Sequence, residues 1–519
     1  MSVQGAPASA AATMPLAAGA GTALLCGLLG AATVLGFAPF YAWPMPFFTL
    51  GALAWLLGRA RGPWRAAALG YAFGFGHFIT GVSWVFVSMH DYGGMSVPLG
   101  VFATSFFCAY LALFPAWAAW ITARAPARPA LRCVVVFPAA WVFAEWVRGW
   151  MFTGFPWLAI GYTQSPSGPL SAFAPVLGAY GVGLLTAAVA GLLAWWEPWR
   201  VEWKGLRLAR GLRHPAPAAV LALSVAALAL GTIAWTTPVG EPVPVSLAQG
   251  NIKQDLKWRP EALRQTLDTY LELTRSSNAR LILLPETAVP LFDVNVPPGY
   301  LELLANHARA NGGDILLGIP ELVDGTKPRY YNSVISLGTQ PRQSYRKFHL
   351  VPFGDYFPEW AFVTWVMNAM DIPMSSFSRG NAYQRPIAAA GQRIAVNICY
   401  EDVFGEEIIR QLPEATLLAN FTNDAWWGES FASEQHLQMA QMRAQETGRY
   451  MLRATNTGVT SIIDQRGRVL QSAPEFTTTV VNGLAQGFSG STPYVRWGNW
   501  PVLALLAAML AIPWFGRPR

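Results

Sequence analysis

Three short stretches carry side chains that together could move an acyl group. "LLPETAVP" places Glu286 just past an apolar run, and "YRKFHLVPFGDYFP" places Lys347 among turn residues and aromatics. "NICYED" places Cys399 at the end of another apolar run. A thiol must lose its proton to attack a carbonyl, and a carboxylate held against it can act as the base. An ammonium beside both favours the thiolate and stabilises the oxyanion of a tetrahedral intermediate. Cys399 is one of only four cysteines, and the other three (Cys26, Cys108, Cys133) lie in long apolar segments. Taken alone, such a cysteine is more often a small buried residue filling a strand. Glu401 and Asp402 stand directly behind it and would disfavour a thiolate. The chemistry therefore requires those acids to face elsewhere, with Lys347 and the helix start expected after Cys399, ahead of "FGEEIIRQL", setting the field at sulfur.

These groups need elements to hold them. The runs 243–250, 279–286, 314–320, 331–338, 392–399 and 415–422 read as strands. Residues 260–275 and 433–448 are apolar every three or four positions and read as helices, and 460–471 reads as a hairpin turning at Arg-Gly. Buried strands separated by helices predict an α/β sandwich over residues 238–490. All three reactive groups fall at the ends of such elements, and ligands of open α/β sheets collect beyond the carboxyl ends of strands.

The rest of the chain is of another kind. Of 519 residues, 53% are hydrophobic and only 13% charged, whereas a soluble domain carries about a quarter charged residues. Apolar runs occupy 16–37, 44–58, 66–89, 97–122, 131–147, 171–196, 216–236 and 497–515. A membrane-crossing helix needs about 20 such residues, so about eight transmembrane helices are expected, seven within 1–237 and one within 491–519. Arg59, Arg61 and Arg65 follow the second run, and Arg124, Arg128 and Arg132 the fourth. Arg200, Lys204, Arg207, Arg210 and Arg213 follow the sixth, and Arg517 and Arg519 the last, while the loops after the first and third runs hold no Lys or Arg. Basic residues stay on the cytoplasmic side. Both termini are then cytoplasmic and the 238–490 domain is extracytoplasmic. The net charge of +7 is a topology signal, with no basic, aromatic-interleaved face for nucleic acid.

Glu286, Lys347 and Cys399 resemble the Glu-Lys-Cys triad of the nitrilase superfamily. With the membrane spans around them, the chain resembles the apolipoprotein N-acyltransferase family over nearly its whole length. "QGNIKQDLKW", "HLVPFGD", "PMSSFSRG", "FTNDAWWG", "LRATNTG" and, in the membrane part, "EWVRGWMFTGFPW" carry that resemblance. It implies supporting or substrate-binding roles for Trp258, Tyr400, Glu401 and Asp355, the last standing where the family usually has Glu, one methylene longer. It implies a nitrilase-like catalytic domain on the periplasmic face of the bacterial inner membrane. It further implies a two-stage reaction through a Cys399 thioester. The acyl donor would be a phospholipid, phosphatidylethanolamine first among them, and the acceptor the α-amine of a diacylglyceryl-cysteine on an apolipoprotein. Ester to amide is downhill, so no cofactor is expected, in keeping with the lack of a phosphate-binding Gly-rich loop.

Two other readings compete. A membrane-tethered carbon-nitrogen hydrolase acting on lipid-linked amides would use the same triad and deliver the acyl group to water. A transporter or lipid receptor with a dead outer domain would need ionisable residues along a path, and few lie inside the apolar runs. The six histidines include no close pair of metal-ligand spacing, so no metal is expected. His349 reads as a structural hydrogen-bonder, and "GYAFGFG" (70–76) as close helix packing. Glu145 and Arg148, three residues apart, read as a pair along a helix. The aromatics of "FGDYFPEW" and "DAWWGESF" would line a lipid-side cover or serve as interfacial anchors and core.

Overall fold

The computed structural model describes residues 19–196, 214–325, 328–356 and 377–515. The basic residues expected at Arg200, Lys204, Arg207, Arg210, Arg213, Arg517 and Arg519 lie outside the described residues, as do Phe357 to Ser376.

Each of the eight apolar runs contains helix, and the helices differ in length. Val97–Arg124, Pro129–Arg148 and Pro169–Trp196 are long and apolar enough to cross a membrane, and Pro63–Gly81 with Val85–Tyr92 forms a fourth candidate bent by 61°. Ala20–Gly36, Met45–Leu57, Pro215–Gly231 and Trp500–Phe515 are apolar but shorter. By length and composition the described residues thus hold three crossing helices, or four with the bent pair, beside four shorter apolar helices. The glycine-rich stretch does pack closely. A Cβ on Gly70 would collide with the backbone of Pro115, and one on Gly76 with that of Gly27, so two neighbouring helices can touch backbone to backbone.

Residues 236–490 form two six-stranded sheets. The first has the order β12 (Thr479–Gly490), β1 (Thr236–Gln249), β2 (Leu281–Leu284), β3 (Asp314–Val323), β4 (Arg329–Gly338), β5 (Ser344–Arg346). The second runs β11 (Val469–Ser472), β10 (Ser461–Ile463), β9 (Met451–Thr455), β8 (Leu417–Thr422), β7 (Gln392–Ile398), β6 (Ile387–Ala389). β1, β2 and β3 are parallel, as are β7, β8 and β9. The expected α/β sandwich is the observed one, and all six predicted strands and the hairpin are present.

Side chains alternate faces along a strand, and here both faces are covered. Val243, Val245, Leu247, Leu281 and Leu283 meet Val396, Ile398, Leu417, Ala419 and Phe421 between the sheets. Ile282 and Leu284 point the other way, into helices Pro260–Arg275 and Tyr300–Ala310. The outer face of the second sheet receives Ala432–Thr447, whose Leu437, Ala440 and Ala444 pack on Leu418 and Met451. The opposite side of that helix joins the membrane helices through Met439 and Met442, in a core that also holds Tyr400, Val403 and Trp427.

Candidate active site

The parallel strands end together, and their first loop residues form one buried cluster. Glu286 lies two residues past β2, Lys347 one past β5, Cys399 one past β7 and Asn423 one past β8. Glu286 Oε1 accepts from Asn332 Nδ2 at 2.7 Å, and its Oε2 accepts from the Asn423 backbone N–H at 2.9 Å. Lys347 Nζ stands 3.5 Å from Glu286 Oε1 and 2.7 Å from Asp355 Oδ2. Its own N–H donates to the Asn332 carbonyl, which fixes where the side chain starts. Asp355 Oδ2 also accepts from the Val351 N–H at 2.8 Å. The shorter carboxylate therefore reaches its lysine directly.

The electrostatics follow from this geometry. Lys347 is only 2% exposed. Burial opposes its charge, but Asp355, Glu286 and Cys399 outweigh burial and hold the ammonium above its ordinary value. Burial and then Glu286 push the half-buried Cys399 thiol up, while Lys347 and the Thr422 hydroxyl pull it down. Both the Glu286 carboxylate and the Lys347 ammonium thus act electrostatically on the sulfur. Cys399 sits at φ 53°, a left-handed backbone that costs a non-glycine residue about 1–3 kcal/mol and collects at functional sites.

The two acids behind the sulfur are turned away and occupied. Glu401 accepts from the N–H groups of Ile398, Phe348 and His349 at 2.7, 2.7 and 3.0 Å, and from Tyr345 Oη at 3.1 Å. It clamps the end of β7 to the residues just after Lys347, so it positions both partners. Burial still pushes its carboxyl up to about 7 despite these donors. Asp402 meets His436 Nε2 at 2.5 Å and Arg453 at 3.3 Å, all three fully buried. The element after the cysteine is a 3-10 turn, Cys399–Val403, and the α-helix of "FGEEIIRQL" is the short Gly405–Ile408. A helix end is therefore a minor contributor to the field at sulfur.

Other expected residues divide. Tyr400 donates to the Gly154 carbonyl at 3.2 Å and stacks on Trp157 with rings 6.3 Å apart, so it docks on the membrane part. Trp258 is 56% exposed and is not brought into the cluster. Its neighbour Lys257 is the inward residue, 4% exposed, with Nζ 3.1 Å from the Glu286 carbonyl. His349 is structural, bonded to Glu407 and the Thr153 carbonyl and stacked on Phe404. Glu145 and Arg148 make no ion pair with each other. Glu145 accepts from Trp141 and the Ile160 N–H, and Arg148 donates to the carbonyls of Phe155 and Trp157. Both organise the loop on which Tyr400 rests. Trp427 is core, packed on Trp84, Trp157 and His436, whereas Trp426 faces outward near Tyr92. Lys257, Asn332 and Asn423 were missed. Asn423 and Lys257 lie inside quoted motifs, and Asn423 stands just past a strand, a usable signal, but nothing in the sequence marks Asn332.

Similarity to known proteins falls on both parts of the chain. Residues 29–192 match the profile of the apolipoprotein N-acyltransferase N-terminal domain, and residues 244–494 that of carbon-nitrogen hydrolase. An apolipoprotein N-acyltransferase of Nitrosomonas europaea is 52% identical over 93% of this chain and 95% of its own length. One of Methylococcus capsulatus is 46% identical over 96% of this chain and 97% of its own. Among solved structures, the NitFhit protein of C. elegans aligns at TM-score 0.38 and 15% identity, over 55% of this chain and 66% of that one.

Proposed function

The chain belongs to the apolipoprotein N-acyltransferase family, a membrane-bound acyltransferase of lipoproteins, and from that premise we propose how its own residues perform the transfer. The acyl group comes from a phospholipid, with phosphatidylethanolamine the expected donor. Cys399 Sγ attacks the ester carbonyl as Glu286 takes the thiol proton. Lys347 faces the oxygen that becomes negative. The C–O bond breaks, the departing lysophospholipid hydroxyl takes the proton, and Cys399 carries a thioester. The α-amine of a diacylglyceryl-cysteine then attacks that thioester. Glu286 removes a proton from the nitrogen, the C–S bond breaks, and the amide leaves with Cys399 again a thiol.

The observation that supports this most is the geometry at Lys347, whose ammonium lies 2.7 Å from Asp355 and 3.5 Å from Glu286. Asp355 holds the cation in place, which leaves Glu286 available as a base. Water access would hydrolyse the thioester, and the burial of Lys347, Glu286 and Asp355 opposes it. Glu401 and Tyr400 act through position, one fixing the two strand ends and the other seating the nucleophile loop on the membrane part. Trp258, exposed beside Lys257, is available to substrate at the surface.

Both substrates carry acyl chains, and each buried CH₂ holds them in the bilayer by about 0.8 kcal/mol. In this reading residues 1–237 and 491–519 lie in the inner membrane, with eight crossings and both termini cytoplasmic. Residues 238–490 carry the chemistry on the periplasmic side. Arg59, Arg61, Arg65, Arg124, Arg128 and Arg132 support that orientation.

Intact mass of the purified protein after exposure to phosphatidylethanolamine tests the thioester. An acyl-sized increment on the Cys399 peptide is expected, and Cys399→Ser should lose both the increment and transfer to a diacylated lipopeptide. Full transfer by the serine variant would refute the covalent route. Acyl release to water that ignores the lipopeptide would favour the hydrolase.

A further inference from the structure

Lys257 lies in the turn-rich segment after β1, 4% exposed, beside an exposed tryptophan. Burying a lysine is costly unless something uses its charge. An ammonium has three donors, and the one hydrogen bond it makes among the described residues is to the Glu286 carbonyl at 3.1 Å. It forms no ion pair there. The segment carrying it is tied to the site at two more points. Asn423 Nδ2 donates to Gln254 Oε1 at 2.7 Å, and Asn456 Nδ2 donates to the Ile252 carbonyl at 2.7 Å. Asn423 also gives its backbone N–H to Glu286. Lys257 is thus built into the wall behind the general base.

We propose that Lys257 is a second cation of the active site, a positioning residue that holds the Glu286 peptide and offsets the negative charge that appears when Cys399 gives up its proton. The inference rests on the reading of Glu286 and Cys399 given above. The charged groups around it are Glu286 and Cys399, with Lys347 and Asp355 beyond Glu286. Burial lowers its ammonium to about 8, with Glu286 and Cys399 opposing that fall. Lys347 is neutralised at close range by Asp355, whereas Lys257 pairs with no carboxylate among the described residues. Its field is the less cancelled of the two.

The test uses full-length protein in detergent micelles at pH 7. Alkylation of Cys399 by iodoacetamide is followed by peptide mass, and acyl-enzyme formation from phosphatidylethanolamine by intact mass. Lys257→Met removes the charge and keeps the length. It should slow both reactions about tenfold, the effect of raising a thiol by one pK unit. Lys257→Arg should recover most of the rate, which a purely structural role would not predict for a bulkier side chain. Alkylation and acylation of the Met variant at wild-type rates would overturn the proposal, as would an Arg variant as slow as Met. If Met does not fold, Lys257→Gln takes its place in the same comparison. Wild-type protein that takes no acyl group at Cys399 would break the triad reading. Acylated wild type beside an unaffected Met variant would break only this one.

Discussion

The two outer faces of the sandwich are covered by helices of similar polarity and opposite fate. Pro260–Arg275 buries Thr266, Leu267, Tyr270 and Thr274 and turns most of its other side chains to solvent. Ala432–Thr447 buries every residue except Glu434, among them four glutamines, an arginine, a histidine and a glutamate. The difference lies in what sits above each helix. Over the second lies the membrane part, where helices are interrupted and backbone groups lack helical partners. Gln438 accepts from the Ala38 N–H and donates to the Ser165 carbonyl. Gln435 donates to the Gly81 carbonyl, and Glu446 accepts from the Ala179 N–H beside the non-helical Gly178. Buried polar atoms need partners, and here the polar helix and the broken helices supply each other's.

The comparison can be tested by substitution. Arg443→Leu should have the largest effect, because Arg443 and Glu446 form a buried pair at 3.1 Å. Leaving one buried charge unpaired costs about 3–5 kcal/mol, visible as a large fall in thermal midpoint. A midpoint near wild type would mean that the pair is not buried in the working protein. Gln438→Leu leaves the Ala38 N–H and Ser165 carbonyl unsatisfied and should cost about 1–3 kcal/mol by the same measurement. A neutral result there would remove the idea of mutual satisfaction.

A pH test comes next in size. Burial pushes the Glu446 carboxyl up to about 7, although Arg443 pulls it down, against about 4.3 in an unfolded chain. Between those values the unfolded chain binds fewer protons, so this contribution to stability is full below about 4.3 and is lost as pH rises through about 7. Glu446→Gln should flatten the pH dependence of the midpoint in that window. A slope identical to wild type would erase the contrast. The smallest effect belongs to Arg264→Ala on the solvent helix. Its pair with Asp268 at 3.7 Å is exposed and contributes at most about 0.5 kcal/mol.

The same contrast explains what could be read in advance. Strands buried on both faces are continuous apolar runs, so β1, β2, β3, β4, β7 and β8 stood out. Glu286, Lys347 and Cys399 did too, because each is a reactive residue directly after such a run or in a turn-rich segment. Apart from the resemblance, the clamp at Glu401 was legible only as a nearby acid, since its four donors come from two separate segments. Lys257 was hidden beside a more conspicuous tryptophan, and burial is not a local property of sequence. Asn332 sits within β4 and looks like any polar residue on a strand. Helix lengths within the apolar runs were hidden for a related reason. Hydropathy measures how apolar a run is, whereas where a helix stops depends on partners such as Gln435 and Gln438, about 400 residues away in one case.

The left-handed backbone at Cys399 bears on how such a sequence drifts over generations. A glycine at that position would relieve the torsional penalty at no steric cost, so fold and chemistry ask for different residues there. Lineages released from the need for the reaction have a thermodynamic reason to discard the sulfur early, well before the surrounding scaffold decays.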